Sequence, residues 1–224
     1  MSEILDEIKI IIAEIYKDGI EVNGTRELQN VTSIFYPHRL NLIKEEKEIK
    51  KFYDNKIGNW EYRLDLEKSH YDRLTADILH EITRGQWFSN FDKLNGMNEL
   101  LEKGNVYLNK DGYNSLFHLQ EAIKEDMDKL NNFSGRRNVI FSQDCISLIQ
   151  FICRKDANLL NIYIRSSDTI NLLASDYLFG IKLLDIILNK FNIKKNTYDK
   201  VTFFTGSSHW YLKDKDKVND IINN

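Results

Sequence analysis

Asn138-Val139-Ile140-Phe141-Ser142, then Cys145-Ile146-Ser147-Leu148-Ile149-Gln150-Phe151-Ile152-Cys153, then Leu159-Leu160-Asn161-Ile162-Tyr163-Ile164-Arg165 are the residues that decide the fold. Short apolar runs rich in β-branched and aromatic residues, broken by turn-forming polar residues, read as strands. The runs cover 138–142, 146–153 and 159–165, after a turn at Asn132-Phe133-Ser134-Gly135. Apolar spacing then becomes helical over 172–191, with an apolar side broad enough for a central helix. A last strand is expected over 201–211, followed by a charged terminal helix. Upstream, 4–16 has helical spacing with Gly19 as its stop, and Gly24 to Tyr36 reads as a turn leading into a β-rich run. The charge block Lys44 to Lys51 reads as a solvated helix or an insertion, and two more helices are expected over 71–82 and 115–130. Helices flanking a largely antiparallel sheet place the chain in the α+β class.

The chain has 224 residues and one proline, Pro37, with no Gly/Ser-rich linker, so a single domain over 1–224 is expected. A formal charge of −3 with interspersed signs gives no general attraction to nucleic acid or an acidic membrane. Two cysteines make no disulfide framework. Neither a signal peptide nor a membrane span is legible, which implies a soluble cytoplasmic protein, in the host cytoplasm if the gene is viral.

Chemistry concentrates around the strands. Cys145 and Arg165 stand twenty positions apart, on what read as neighbouring strands, with Gln150, Ser166 and Asp168 close by in sequence. A thiolate is a strong nucleophile near neutral pH, and cationic neighbours favour it. Cys145 alone reads as a small buried hydrophobe, the usual fate of a free cysteine, and Cys153 reads as core. Arg26, Arg136, Arg137 and Arg165 lie in or beside turns and strand ends. A guanidinium fork with serine hydroxyls suits phosphate oxygens. His80-Glu81 begins a zinc-protease pattern, but Arg84 stands where the second histidine belongs. No paired-cysteine zinc spacing and no Gly-rich phosphate loop is present, so no metal is expected.

Five segments, in order, resemble the thymidylate synthase and pyrimidine-nucleotide hydroxymethylase superfamily, in its compact archaeal and phage-type form. They are Gly24-Thr25-Arg26-Glu27-Leu28, Arg136-Arg137, Cys145 with Gln150-Phe151, Arg165-Ser166-Ser167-Asp168, and Ser208-His209-Trp210-Tyr211. The resemblance implies a homodimer formed through the sheet, with Arg136 and Arg137 reaching the partner's site. It implies Cys145 as nucleophile towards carbon 6 of a pyrimidine deoxynucleotide. Arg26, Arg165, Ser166 and Asp168 become phosphate-site residues, Gln150 joins the substrate site, and His209 with Tyr211 bind the sugar. Methylenetetrahydrofolate is the implied co-substrate. Ile78-Leu79-His80-Glu81 resembles the helix carrying the acid/base glutamate, with Glu61 as a competitor, and Tyr113 resembles the tyrosine near the reacting base.

Eleven residues after Arg165 stands Asp176, where uracil-specific members carry asparagine. A carboxylate accepts from the exocyclic amine of cytosine, and the ring nitrogen needs a donor, from water or a protonated carboxyl. The resemblance therefore implies a deoxycytidylate 5-hydroxymethylase. Ile146 stands where many relatives have histidine, and Asn171-Leu172-Leu173-Ala174-Ser175 lacks the family's glycine and proline. These departures leave open thymidylate synthase itself and a non-catalytic nucleotide-binding homologue.

Overall fold

Helix α1 (Glu3–Asp18) opens the fold with an isoleucine stripe, and Ile4, Ile8, Ile11, Ile12 and Ile15 are all buried. Its first turn leaves backbone N–H groups without helical partners. Leu5 N donates to the Ser2 hydroxyl at 3.0 Å, while Glu3 N and Ile4 N each donate to the Glu45 carboxylate at 3.2 Å. Glu45 belongs to α2 (Leu42–Lys56), so its charge, favourable at a helix N-terminus, ties two helices together. The Lys44–Lys51 block is helical as expected, with Ile49 and Tyr53 facing inward.

The computed structural model describes residues 2–58, 60, 67–83, 138–142 and 144–223. A third helix, α3, covers 67–83. Among the described residues, six strands form one sheet in the order β1-β2-β6-β5-β4-β3, where β1 is Ile20–Val22, β2 Thr25–Phe35, β3 Asn138–Phe141, β4 Ile146–Cys153, β5 Asn158–Asp168 and β6 Lys200–Tyr211. Every pairing is antiparallel except β5 with β6. Helix α4 (Leu173–Lys190) makes the β5-to-β6 crossover that a parallel pair needs, and α5 (Lys215–Ile222) closes the described chain.

One face of the sheet is the core. Register aligns Ile149, Ile162, Phe203 and Ser33 in one row, and Phe151, Leu160, Val201 and Phe35 in the next. Helix α4 lies against these rows so closely that a Cβ on Gly180 would come within 2.5 Å of Phe203 and 2.6 Å of Ile162. The absent side chain at Gly180 sets how near α4, and therefore Asp176 in its first turn, sits to β5. The next register rows include Leu148, Tyr163 and Phe204. The Tyr163 and Phe204 rings stack at 4.7 Å.

The helices run further than expected: α2 ends five residues after Lys51, and the helix expected from 71 is already helical at 67. The strands expected over 138–211 appear within three residues of their bounds, the largest difference being at β5, which continues past Arg165 to Asp168. Ser166, Ser167 and Asp168 have little intrinsic strand preference. They extend the strand because Ser207, Ser208 and His209 of β6 pair with them. The helix expected over 115–130 and the turn at 132–135 lie outside the described residues. No described helix is long and apolar enough to cross a membrane.

Candidate functional site

The end of β4 is where the sheet gives way to a cavity. The β4–β5 register shifts between Ile146 and Leu148, a disruption of the kind that re-aims side chains. Cys145 stands just before β4 on a bend, its side chain exposed. Its carbonyl accepts from Arg165 N at 2.7 Å, which fixes the two residues side by side. Their sequence pairing is thus a spatial one, though Cys145 precedes the strand instead of lying in it.

Around this pair opens a cavity of about 490 Å³. Its wall takes Cys145 and Asp144 from the bend, Arg165 and Ser166 from β5, Asp176 from α4, and Glu67, His70 and Arg73 from α3. Among the described residues, nothing hydrogen-bonds or pairs with the Arg165 guanidinium. Arg73, by contrast, is paired with Asp144. Asp144 also accepts from Ser142 Oγ at 2.7 Å and lies 3.5 Å from His70 Nδ1. The Ser142 hydroxyl first, then the Arg73 and His70 charges, hold the Asp144 carboxyl below its ordinary range.

Asp176 is the buried carboxyl of the wall, only 6 % exposed. Its Oδ1 accepts from the Tyr71 hydroxyl at 2.8 Å and its Oδ2 from Ser167 Oγ at 3.1 Å. Burial pushes the Asp176 carboxyl up to about 7, against these two hydrogen bonds, which favour the ionised form; the Glu67 charge adds to the rise. Burial and the Asp176 charge likewise hold the Tyr71 phenol well above its usual range.

The other sequence-predicted residues are placed elsewhere. Arg26 caps the C-terminus of α1: its Nε donates to Ile15 O at 2.9 Å, and Nη1 lies 3.4 Å from Glu21 Oε1. It does not line the cavity, because its guanidinium is held at the C-terminal end of α1. Asp168 turns into the loop before α4, accepting from Ile170 N and Asn171 N at 3.1 Å and from Asn171 Nδ2 at 2.7 Å. Gln150 is half-buried on β4 and accepts from Asn161 Nδ2 at 3.3 Å. His209 pairs in register with Glu27 and Asp168, and its ring meets Tyr211 edge-on at 5.5 Å. Tyr211 is exposed beneath the Lys213 ammonium. Glu81 lies on α3 but does not line the cavity. Tyr113, Arg136, Arg137 and Glu61 lie outside the described residues. Cys153 is core, its thiol pushed up to about 11 chiefly by burial.

Sequence reasoning missed Tyr71, Glu67, His70 and Arg73. The signal was there: 67, 70, 71 and 74 follow helical spacing, and Leu74 is buried while the polar three turn to the cavity and Asp176. Without the fold, nothing tied that face to Cys145. Among the described residues, no group of three or more His, Cys, Asp or Glu side chains is placed to hold a metal ion. In comparisons with known proteins, no family model and no curated protein matches the chain.

Proposed function

We propose that the protein is a homodimeric deoxycytidylate 5-hydroxymethylase. One observation carries the reading: Cys145, Arg165 with Ser166, and Asp176 converge from three chain segments on a single cavity. About 490 Å³ is within the usual range for small-molecule sites, which runs from roughly 300 to 1,000 Å³. A nucleophile, an anion-binding group and a base-reading carboxyl are what a pyrimidine nucleotide needs, and they are the groups present.

In this reading the phosphate lies on the Arg165 guanidinium and the Ser166 hydroxyl. Asp176 faces the cytosine edge, taking the amine hydrogen on one oxygen. The Cys145 thiolate adds to carbon 6 and so makes carbon 5 nucleophilic. The one-carbon unit comes from methylenetetrahydrofolate, a co-substrate taken from the resemblance. The described wall offers groups for the nucleotide and none that would select a folate. Carbon 5 bonds to that methylene and loses its proton, and tetrahydrofolate departs as leaving group to give an exocyclic methylene. Water adds to this carbon, and expulsion of the Cys145 thiolate restores the ring double bond. A carboxylate must orient that water. Glu81 has this role by resemblance, but it lies fourteen residues, or about 21 Å along the helix axis, beyond Glu67. Glu67 lines the cavity, so the role is assigned to Glu67.

The dimer follows from the resemblance and has support in the exposed apolar side chains of the sheet, Phe141 at 79 % and Ile34 at 45 %. Arg136 and Arg137 are its proposed contribution to the partner's site, and His209, Tyr211 and Tyr113 remain candidate substrate contacts. A second reading, thymidylate synthase, is favoured by one observation. With its pKa near 7, Asp176 is neutral much of the time, and a neutral carboxyl offers the donor and acceptor that uracil also satisfies. The test is mass spectrometry of nucleotides after incubation with methylenetetrahydrofolate and an equal mixture of dCMP and dUMP. Hydroxymethylated dCMP is the expected product. Methylated dUMP would give the second reading, and no product from folded protein would leave a nucleotide binder.

A further inference from the structure

We propose that Tyr71 is a positioning residue for the base-reading carboxyl: its hydroxyl fixes Asp176 and sets the pH above which cytosine binding takes up a proton. The inference rests on the reading of Asp176 as the group that meets the base.

The geometry is specific. The Tyr71 ring stacks on Phe179 at 4.4 Å and an interplanar angle of 10°. Phe179 lies three residues after Asp176 on α4, so the ring is clamped to the same helix as the carboxyl it serves. From there Tyr71 donates to Oδ1 at 2.8 Å while Ser167 donates to Oδ2 at 3.1 Å. Two donors from two other elements, α3 and β5, hold the plane of the carboxyl from either side. Each carboxyl oxygen has about two lone-pair sites, so each keeps one for a ligand.

Protonation follows from that arrangement. Cytosine presents an amine donor beside a ring-nitrogen acceptor. A carboxylate matches only the amine. Adding one proton completes the match, whether it sits on the carboxyl or on the ring nitrogen. Above the Asp176 midpoint, binding therefore draws a proton from solvent, and affinity falls about tenfold per pH unit. Tyr71 acts on that midpoint because its hydrogen bond favours the ionised carboxyl.

The other charged or titratable groups facing Asp176 are distributed around it. Glu67, His70 and Arg73 come from α3, Arg165 from β5, Asp144 and Cys145 from the bend before β4. Tyr177 adjoins Asp176 on α4 and is itself hydrogen-bonded to Ser33, which also donates to Glu7. Glu67 raises the midpoint and Tyr71 lowers it, so the two set it in opposition.

Tyr71→Phe keeps the ring stacked and removes only the donor. The experiment is calorimetric titration of dCMP into wild type and Tyr71→Phe between pH 5.5 and 8.5, in two buffers of different ionisation enthalpy to count protons. The Asp176 carboxyl is followed in parallel by carbon-13 NMR in ligand-free protein. Wild type is expected to take up close to one proton above pH 7. In Tyr71→Phe the carboxyl midpoint and the onset of proton uptake both move up by about one unit. An unchanged carboxyl midpoint in Tyr71→Phe overturns the role of Tyr71, whether or not dCMP binds. A shifted midpoint with dCMP binding that takes up no proton, or with no dCMP binding at all, overturns instead the cytosine-reading role of Asp176, and the proposal with it.

Discussion

Two parts of the sheet carry residues that sequence resemblance groups into one nucleotide site, and the fold treats them differently. At the β4–β5 end, Cys145, Arg165, Ser166 and Asp176 face a common cavity, and the Arg165 charge meets no described partner. Along β2–β6, Arg26 caps α1, Glu27 accepts from Ser207 Oγ at 2.6 Å, and His209 packs against Tyr211. The Ser207 hydroxyl, then Gln29, and to a lesser degree the His209 charge keep the Glu27 carboxyl below its ordinary range. The first region holds polar groups with unused valence around an opening. In the second, Arg26 and Glu27 are already engaged by the Ile15 carbonyl and the Ser207 hydroxyl. An arginine thus lines an open cavity in one place and holds a helix end in the other, and the difference lies in whether a described partner already occupies it.

The sharpest way to break this contrast is at the thiol. Cys145→Ser is expected to lower turnover of dCMP at least about 10³-fold while leaving nucleotide affinity within a few-fold, read by steady-state kinetics and titration. Retained turnover would remove the nucleophile from the account.

The next test concerns the cost of the buried carboxyl. An ordinary aspartate titrates near 3.8, and Asp176 is pushed up to about 7 by burial. Below pH 4 both folded and unfolded chains carry the proton, so burial costs nothing. As pH rises from about 4 to 7 the unfolded chain releases its proton while the folded one keeps it, and stability falls. Above 7 the full penalty stands, up to about 4 kcal/mol. Asp176→Asn is therefore expected to be stabilised at pH 8 and near wild type at pH 4 in denaturant melts. It should also shift base preference towards uracil. Equal effects at both pH values would contradict the assignment.

A smaller effect separates the two carboxylates of α3. Glu67→Gln is expected to reduce kcat about 10²-fold, whereas Glu81→Gln should stay within about threefold. The reverse order would return the water-orienting role to Glu81.

Most of the described fold was legible because its signals are local. The isoleucine stripe of α1, the run Ile146–Cys153 and the long apolar stretch of α4 each declare their period within a few residues. The polar tail of β5 was not, because Ser166 to Asp168 become strand only through β6, more than thirty residues away. The site divided on the same principle. Cys145 and Arg165 are paired by adjacent strands, so their spacing encodes their proximity. Asp176 follows one turn of chain later and came with them. Arg26 looked like an anion ligand by type, but β1–β2 pairing places it over the end of α1, where the Ile15 carbonyl claims it. Tyr71 escaped notice because its importance lies in a hydrogen bond across 105 residues of sequence.

The most direct measurement is titration of dCMP into wild type, Arg165→Ala and Arg26→Ala under one set of conditions, with thermal melts of each. Arg165→Ala should weaken binding about 10- to 100-fold, the loss of charge-assisted hydrogen bonds to phosphate, with an unchanged melt. Arg26→Ala should bind within about threefold of wild type and melt earlier, because it uncaps α1. If Arg26→Ala loses the nucleotide and Arg165→Ala keeps it, the cavity at the β4–β5 end is not the nucleotide site.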